Sequence, residues 1–120
     1  MDIRYLDREF AVASQVSPGA LPGLRDSGIA AVICHRPDGE EPGQPAFAEV
    51  AAEAARCGVA AYYLPVVPGK IAPSDVEAFA ALIAEAPMPV LAYCRTGLRA
   101  ETLWKLSEEL RGSGPVPSRT

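Results

Sequence analysis

The chain has 120 residues, of which 49% are apolar and 22% charged, and its formal net charge is −4. That length suits one domain around one core, and the apolar fraction excludes disorder over most of the chain. The acidic balance offers no field for nucleic acid, and no apolar run approaches the ~20 residues of a membrane span.

Residues 1–10, MDIRYLDREF, alternate charged and apolar side chains, unlike a secretory signal or a transit peptide. Three cysteines, an odd number, fit a reducing cytosol better than a disulfide framework, so a cytoplasmic location is expected. Residues 3–6 and 9–13 read as two short strands forming an edge pair. Ser17-Pro18 follows as cap and first helical position of a helix to about Asp26, stopped at Gly28. Ile29 to Cys34 is a continuous apolar run, the mark of a strand buried on both faces. His35 to Gly43 is loop chemistry, and alanine-rich Pro45 to Cys57 is helical, with Gly58 as its stop. Val59 to Leu64 reads as the next buried strand. Ser74 and Glu77 have capping-box spacing at the start of a helix that turns Val76, Phe79, Leu82 and Ile83 inward. Met88 to Tyr93 is a third buried strand. A last helix runs to about Leu110, with Leu103, Trp104, Leu106 and Leu110 as packing positions. Residues 1–111 make one α/β domain, and 112–120 a flexible tail.

Apolar strands alternating with helices specify a three-layer α/β fold, a mostly parallel sheet with helices on both faces. Ligands of such sheets sit at the carboxyl ends of the strands, which here carry the loops 35–43, 65–73 and 94–99. Cys94 stands directly after a buried strand, and Arg99 lies where the next helix begins. Backbone N–H groups of the loop and of the helix's first turn converge there, and with Arg95 and Arg99 they favour a thiolate. Thr96, Gly97 and Leu98 complete the cradle, and a guanidinium can grip two oxygens of an anion at once. Nucleophile and anion site come from one short segment. The alternative is a small buried hydrophobe at a strand end.

Three stretches carry a family resemblance: Arg36-Pro37-Asp38-Gly39-Glu40, Pro65-Val66-Val67-Pro68-Gly69 and the run from Pro89 through Cys94-Arg95-Thr96-Gly97 to Arg99. From Asp2 to about Leu110 the chain resembles the phosphatase-like domain of the bacterial beta-lactamase hydrolase-like proteins. The resemblance implies a fold like that of dual-specificity phosphatases, with Cys94 as nucleophile and Arg99 as the anion-binding arginine. Leu98 and Ala100 depart from the family pattern, which carries small hydroxyl residues there. In tyrosine phosphatases that second hydroxyl assists departure of sulfur from phosphate, and Ala100 lacks it.

Four residues separate Cys94 from Arg99. Tyrosine and dual-specificity phosphatases have five there, and rhodanese sulfurtransferases have a loop of this shorter size. Phosphate ester cleavage also needs a proton for its leaving group, and residues 65–73 contain no carboxylate to give one. Asp75 suits the first turn of a helix. Lys70 is a candidate for attracting an anionic donor, against the simpler reading of a solvated loop lysine. Arg36 is a supporting residue, and Asp38 or Glu40 a candidate to orient Arg99 or Arg95, against turn chemistry for Asp38. His35 reads first as a solvated loop residue, with a catalytic base or a cation near the thiolate as alternatives, and Cys57 reads as packing. No metal site and no cofactor are expected.

The sequence therefore favours a sulfurtransferase that carries a persulfide on Cys94. The alternative is a phosphomonoester phosphatase working through a cysteinyl-phosphate, and the third reading is a redox-sensing or anion-binding module. The expected partner is a small anionic sulfur or phosphate substrate, with a sulfur dioxygenase or thiol acceptor as a further candidate. Cys34 and Cys94 end strands expected to finish at the same edge, which makes Cys34 a candidate resolving thiol for oxidised Cys94, against the simpler reading of a small apolar residue ending a buried strand.

Overall fold

The structure, a computed structural model, describes residues 1–112. The tail expected at 112–120 lies outside them except for Gly112, which ends the last helix. The strands are β1 (Ile3–Asp7), β2 (Phe10–Ala13), β3 (Ala31–Cys34), β4 (Ala60–Tyr63) and β5 (Val90–Tyr93). The helices are α1 (Leu21–Asp26, after a 3-10 turn at Pro18–Ala20), α2 (Phe47–Cys57), α3 (Pro73–Glu85) and α4 (Leu98–Gly112). One sheet runs in the order β1-β2-β5-β3-β4, parallel except for the β1–β2 pair.

Alternation along the buried strands divides the core in two. Phe10, Val12, Ala31, Ile33, Val90 and Ala92 face α3 and α4, where Phe10 stacks on Trp104 at 4.0 Å. Ala11, Ala13, Val32, Cys34, Leu91 and Tyr93 face the layer holding Leu21, Leu24, Val50 and Ala54 of α1 and α2. The expected three layers are present, and a β-strand's two-residue period puts them there.

The apolar runs overshoot their strands because their first residues finish the preceding helix. Val59 N–H donates to Ala54 O (2.9 Å) and Gly58 N–H to Ala55 O (3.2 Å), with Gly58 left-handed at φ 76°. Those two bonds satisfy the carbonyls left open at the end of α2. Ile29 likewise donates to Leu24 O at the end of α1 (3.0 Å).

Four expectations need correction. β4 is a half-exposed edge strand rather than a buried one, since only β3 flanks it, and Tyr63 is 40% exposed. Helix α3 begins at Pro73, whose fixed φ suits a first helical position, so Ser74 lies within the first turn. Asp75, not Glu77, closes that turn by accepting the Ala72 N–H at 2.8 Å. Ser17 makes no side-chain cap ahead of its 3-10 turn. Leu106 and Leu110 are exposed, leaving Leu103 and Trp104 as the residues of α4 that pack inward.

Candidate active site

β5 lies between β2 and β3, so the residue after it hangs at the middle of the sheet's carboxyl edge. That residue is Cys94. Its N–H donates to Ala13 O (3.3 Å) at the end of β2, and its Sγ accepts the Gly97 N–H at 3.0 Å. Gly97 has φ 96°, and a Cβ there would stand 3.4 Å from Ala13 C and O. Only glycine takes that conformation cheaply, so this residue folds the loop back over the sulfur. α4 starts immediately after, at Leu98.

Arg99 leaves the first turn of α4 and is 8% exposed. Its guanidinium donates end-on to both oxygens of Glu40 (2.8 and 2.9 Å) and, through Nη1, to Val66 O (3.0 Å). Glu40 Oε1 also accepts from Arg36 Nε (2.8 Å), while Arg36 Nη2 binds Glu41 (2.6 Å) and Nη1 binds Gln15 Oε1 (2.9 Å). Glu41 then accepts from Arg95 Nε at 3.2 Å. Three arginines and two glutamates thus form one chain of ion pairs. The Arg99 bonds above all, then those of Arg36, hold the Glu40 carboxyl below its ordinary range, and Arg36 foremost does so for Glu41.

What remains open on Arg99 is its side edge. Nη1 has spent both hydrogens and Nη2 one, so the Nε–H and the second Nη2–H make no bond among the described residues. That pair is the second fork of a planar guanidinium, free for an oxyanion. Beside it opens a cleft of about 880 Å³, with Arg95, Thr96 and Arg99 on one wall and Val67, Pro68 and Ile71 on another. Cys94 is fully buried and is not among the residues that line the cleft.

The structure gathers Cys94, Arg95, Thr96, Gly97, Leu98, Arg99, Arg36 and Glu40 at one place. Asp38 is not among the arginine partners: its Oδ1 accepts the Phe47 N–H (2.8 Å) at the start of α2. Lys70 is exposed and its side chain does not line the cleft. Cys34 packs on the Tyr93 face and its thiol donates to Arg36 O at 3.3 Å. Cys34 pairs in register with Tyr93, the residue just before Cys94; both cysteines are free thiols, and burial pushes the Cys34 thiol up. Among the described residues no group of three or more His, Cys, Asp or Glu could hold a metal ion, and no helix is long and apolar enough to cross a membrane.

His35 corrects the solvated reading most sharply. It is fully buried, packs against Phe79 with ring centroids 5.4 Å apart, and burial pushes its pKa down to about 4. Its N–H donates to Tyr93 O (2.8 Å), its O accepts from Val66 N–H (3.0 Å), and Nδ1 bonds Leu64 O (2.8 Å). One residue therefore ties together the ends of β3, β5 and the loop after β4. Sequence reasoning also missed Glu41, Gln15 and the Val66 carbonyl. The acidic pair Glu40-Glu41 shortly after Arg36 was a signal for the first; a backbone carbonyl leaves none.

A family profile, "Beta-lactamase hydrolase-like protein, phosphatase-like domain", matches residues 2–111. A Beta-lactamase hydrolase-like protein of Agrobacterium fabrum is 37% identical over 107 residues, which is 89% of this chain and 25% of that protein. The chain thus spans about a quarter of the length of the curated relatives it matches. A crystal structure from Neisseria meningitidis, provisionally assigned as a phosphatase, aligns with TM-score 0.85 at 37% identity, covering 98% of this chain and 81% of that one. Tk-PTP, in a point-mutant form, aligns with TM-score 0.74 at 18% identity, covering 94% of this chain and 74% of its own. At that identity the likeness concerns the fold alone.

Proposed function

Because the chain belongs to the phosphatase-like domain family of the beta-lactamase hydrolase-like proteins, we propose that it is a cysteine-dependent phosphatase with Cys94 as nucleophile. The observation that carries the reading is the joint placement of a central-strand cysteine, Gly97 N–H on its sulfur at 3.0 Å, and Arg99 with one fork unspent. The Gly97 N–H donates to the sulfur, and α4 begins immediately beyond it, at Leu98. The free edge of Arg99 takes two phosphate oxygens, while Glu40 and Val66 O keep the guanidinium from turning. In-line attack forms the S–P bond and breaks the bond from phosphorus to the leaving oxygen. Water then takes phosphorus from sulfur, releasing inorganic phosphate and returning the thiolate. Ala100 is fully buried and supplies no hydroxyl for that second step.

Sulfur transfer is the second reading, and the four-residue interval from Cys94 to Arg99 favours it. There the Cys94 thiolate would attack the outer sulfur of thiosulfate, forming a persulfide and releasing sulfite. The family membership and the Neisseria meningitidis neighbour support phosphate over sulfur. The test is a 2,4-dinitrophenyl phosphate assay run beside intact-mass analysis after thiosulfate. Phosphatase chemistry predicts release of dinitrophenolate that disappears in Cys94→Ser with circular dichroism unchanged. Gain of one sulfur on Cys94 with no such release replaces it by sulfur transfer.

A further inference from the structure

Resting on the phosphatase reading, we propose that the substrates are acyl phosphates of apolar carboxylic acids, compounds whose leaving group departs as an anion without needing a proton. Two independent observations carry this: where every acid near the cleft is spent, and what the facing wall is made of.

The carboxyl groups that border the cleft are Glu40 and Glu41. Each is engaged by two arginines, Glu40 by Arg99 and Arg36 and Glu41 by Arg36 and Arg95, at 2.6 to 3.2 Å. A carboxylate so paired is ionised near neutrality and has no proton to give. The loop between β4 and α3, residues 64–72, contains no Asp or Glu. Asp75 beyond it accepts the Ala72 N–H, and Asp38 accepts the Phe47 N–H. His35 is buried and uncharged, with Nδ1 committed to Leu64 O. Thr102 gives its hydroxyl hydrogen to Leu98 O at 2.9 Å, and an alcohol such as Thr96 is too weak an acid to protonate a departing oxygen. An alkoxide, as from phosphoserine, cannot leave such a site at a useful rate. A phenolate as basic as tyrosine's leaves poorly, and a carboxylate leaves readily.

The cleft wall beyond the arginines is apolar. Val67 and Leu98 are 49% and 65% exposed and stand with Pro68 and Ile71 around the opening. A residue as large as Leu98 at the mouth of an anion site offers contact to the organic half of a substrate that is not sugar-like. The chemical balance closes within the site. Sulfur gains phosphorus, the P–O bond to the acyl group breaks, and the carboxylate carries off the electron pair. Water then supplies oxygen to phosphorus, the S–P bond breaks with its electron pair returning to sulfur, and the water's proton goes to solvent or product.

The test uses the full chain at pH 7 and reads kcat/KM, which reports the first step alone. The substrates are phenyl, 4-nitrophenyl and 2,4-dinitrophenyl phosphate, then acetyl and benzoyl phosphate. The expected result is a fall of about tenfold for each unit by which the leaving group becomes more basic. Benzoyl phosphate should exceed acetyl phosphate, with that ratio falling in Val67→Ser and the label from ¹⁸O-water appearing in phosphate. A flat dependence from dinitrophenyl to phenyl phosphate would reveal a proton donor and overturn the inference while leaving the phosphatase reading standing. Equal use of the two acyl phosphates, or label in the carboxylic acid, overturns it too. Absence of any Cys94-dependent turnover, even of dinitrophenyl phosphate, removes the phosphatase reading and the inference with it.

Discussion

Acidifying the solution from pH 7 to pH 5 should weaken this fold through a single buried side chain. His35 titrates near its ordinary value of 6.5 when unfolded, and burial brings it to about 4 in the folded chain. Between those values the unfolded chain binds a proton that the folded chain refuses. Stability therefore rises with pH across the window and falls on acidification, by up to about 1.4 kcal/mol per pH unit. Integrated from pH 7 to pH 5, the loss is about 2 kcal/mol. Glu40 and Glu41 act in a lower window: their pKa values are depressed, so what they contribute persists above the ordinary carboxylate range and is lost below it. The variant that isolates His35 is His35→Asn, whose amide N–H replaces the Nδ1 bond to Leu64 O and cannot ionise. Urea unfolding of both proteins at pH 7, 6 and 5 gives the comparison. The original chain should lose about 2 kcal/mol and His35→Asn only a few tenths. Equal losses in the two would refute the assignment of the acid sensitivity to this residue.

Arg99→Lys keeps the charge but loses both forks, so kcat/KM for an activated aryl phosphate should fall by about two orders of magnitude or more. Glu40→Gln removes the clamp shared by Arg99 and Arg36 and should cost about 1–3 kcal/mol in urea unfolding; an unchanged midpoint would mean the ion-pair chain is not stabilising. Gly97→Ala must hold φ near 96° with its Cβ 3.4 Å from the Ala13 backbone, so it should lower stability and disable turnover. A loss near 1–2 kcal/mol is expected for such a backbone conformation, read from the melting temperature.

Much of the fold was legible because periodicity reports burial directly. The runs at Ile29 to Cys34 and Met88 to Tyr93 read as strands covered on both faces, as their last four residues are, and the cysteine loop after the second fell where parallel sheets place ligands. Strand order was not legible. Nothing local distinguishes β4 at an edge from β5 at the centre, since both are short and apolar, and Val59 misleads by packing under a helix end. At the site, the contiguous cysteine loop was legible, and so was Glu40 as a candidate to orient Arg99, since both fall on loops at the same sheet edge. The Val66 carbonyl that also holds Arg99 was not, because a backbone acceptor leaves no mark in the sequence. Asp38 and His35 were misplaced for one reason: a loop residue's partner is set by tertiary packing, and Phe47 N–H and Leu64 O are distant in sequence.

The central position of β5 ties assembly of the active loop to closure of the whole sheet. β2 and β3 share no ladder; β5 alone joins them, pairing Phe10 with Val90 on one side and Ala31 with Val90 on the other. Without that strand the sheet would divide into a β1–β2 hairpin and a separate β3–α2–β4 unit, each with an open edge. Pairing Phe10 with Val90 joins residues far apart in sequence, and contacts of that kind carry the largest loop-closure entropy. Cys94 rides on the strand that performs it. A partly folded molecule is therefore sticky at two open edges, where self-association begins, and has no anion cradle at all until the final strand is in place.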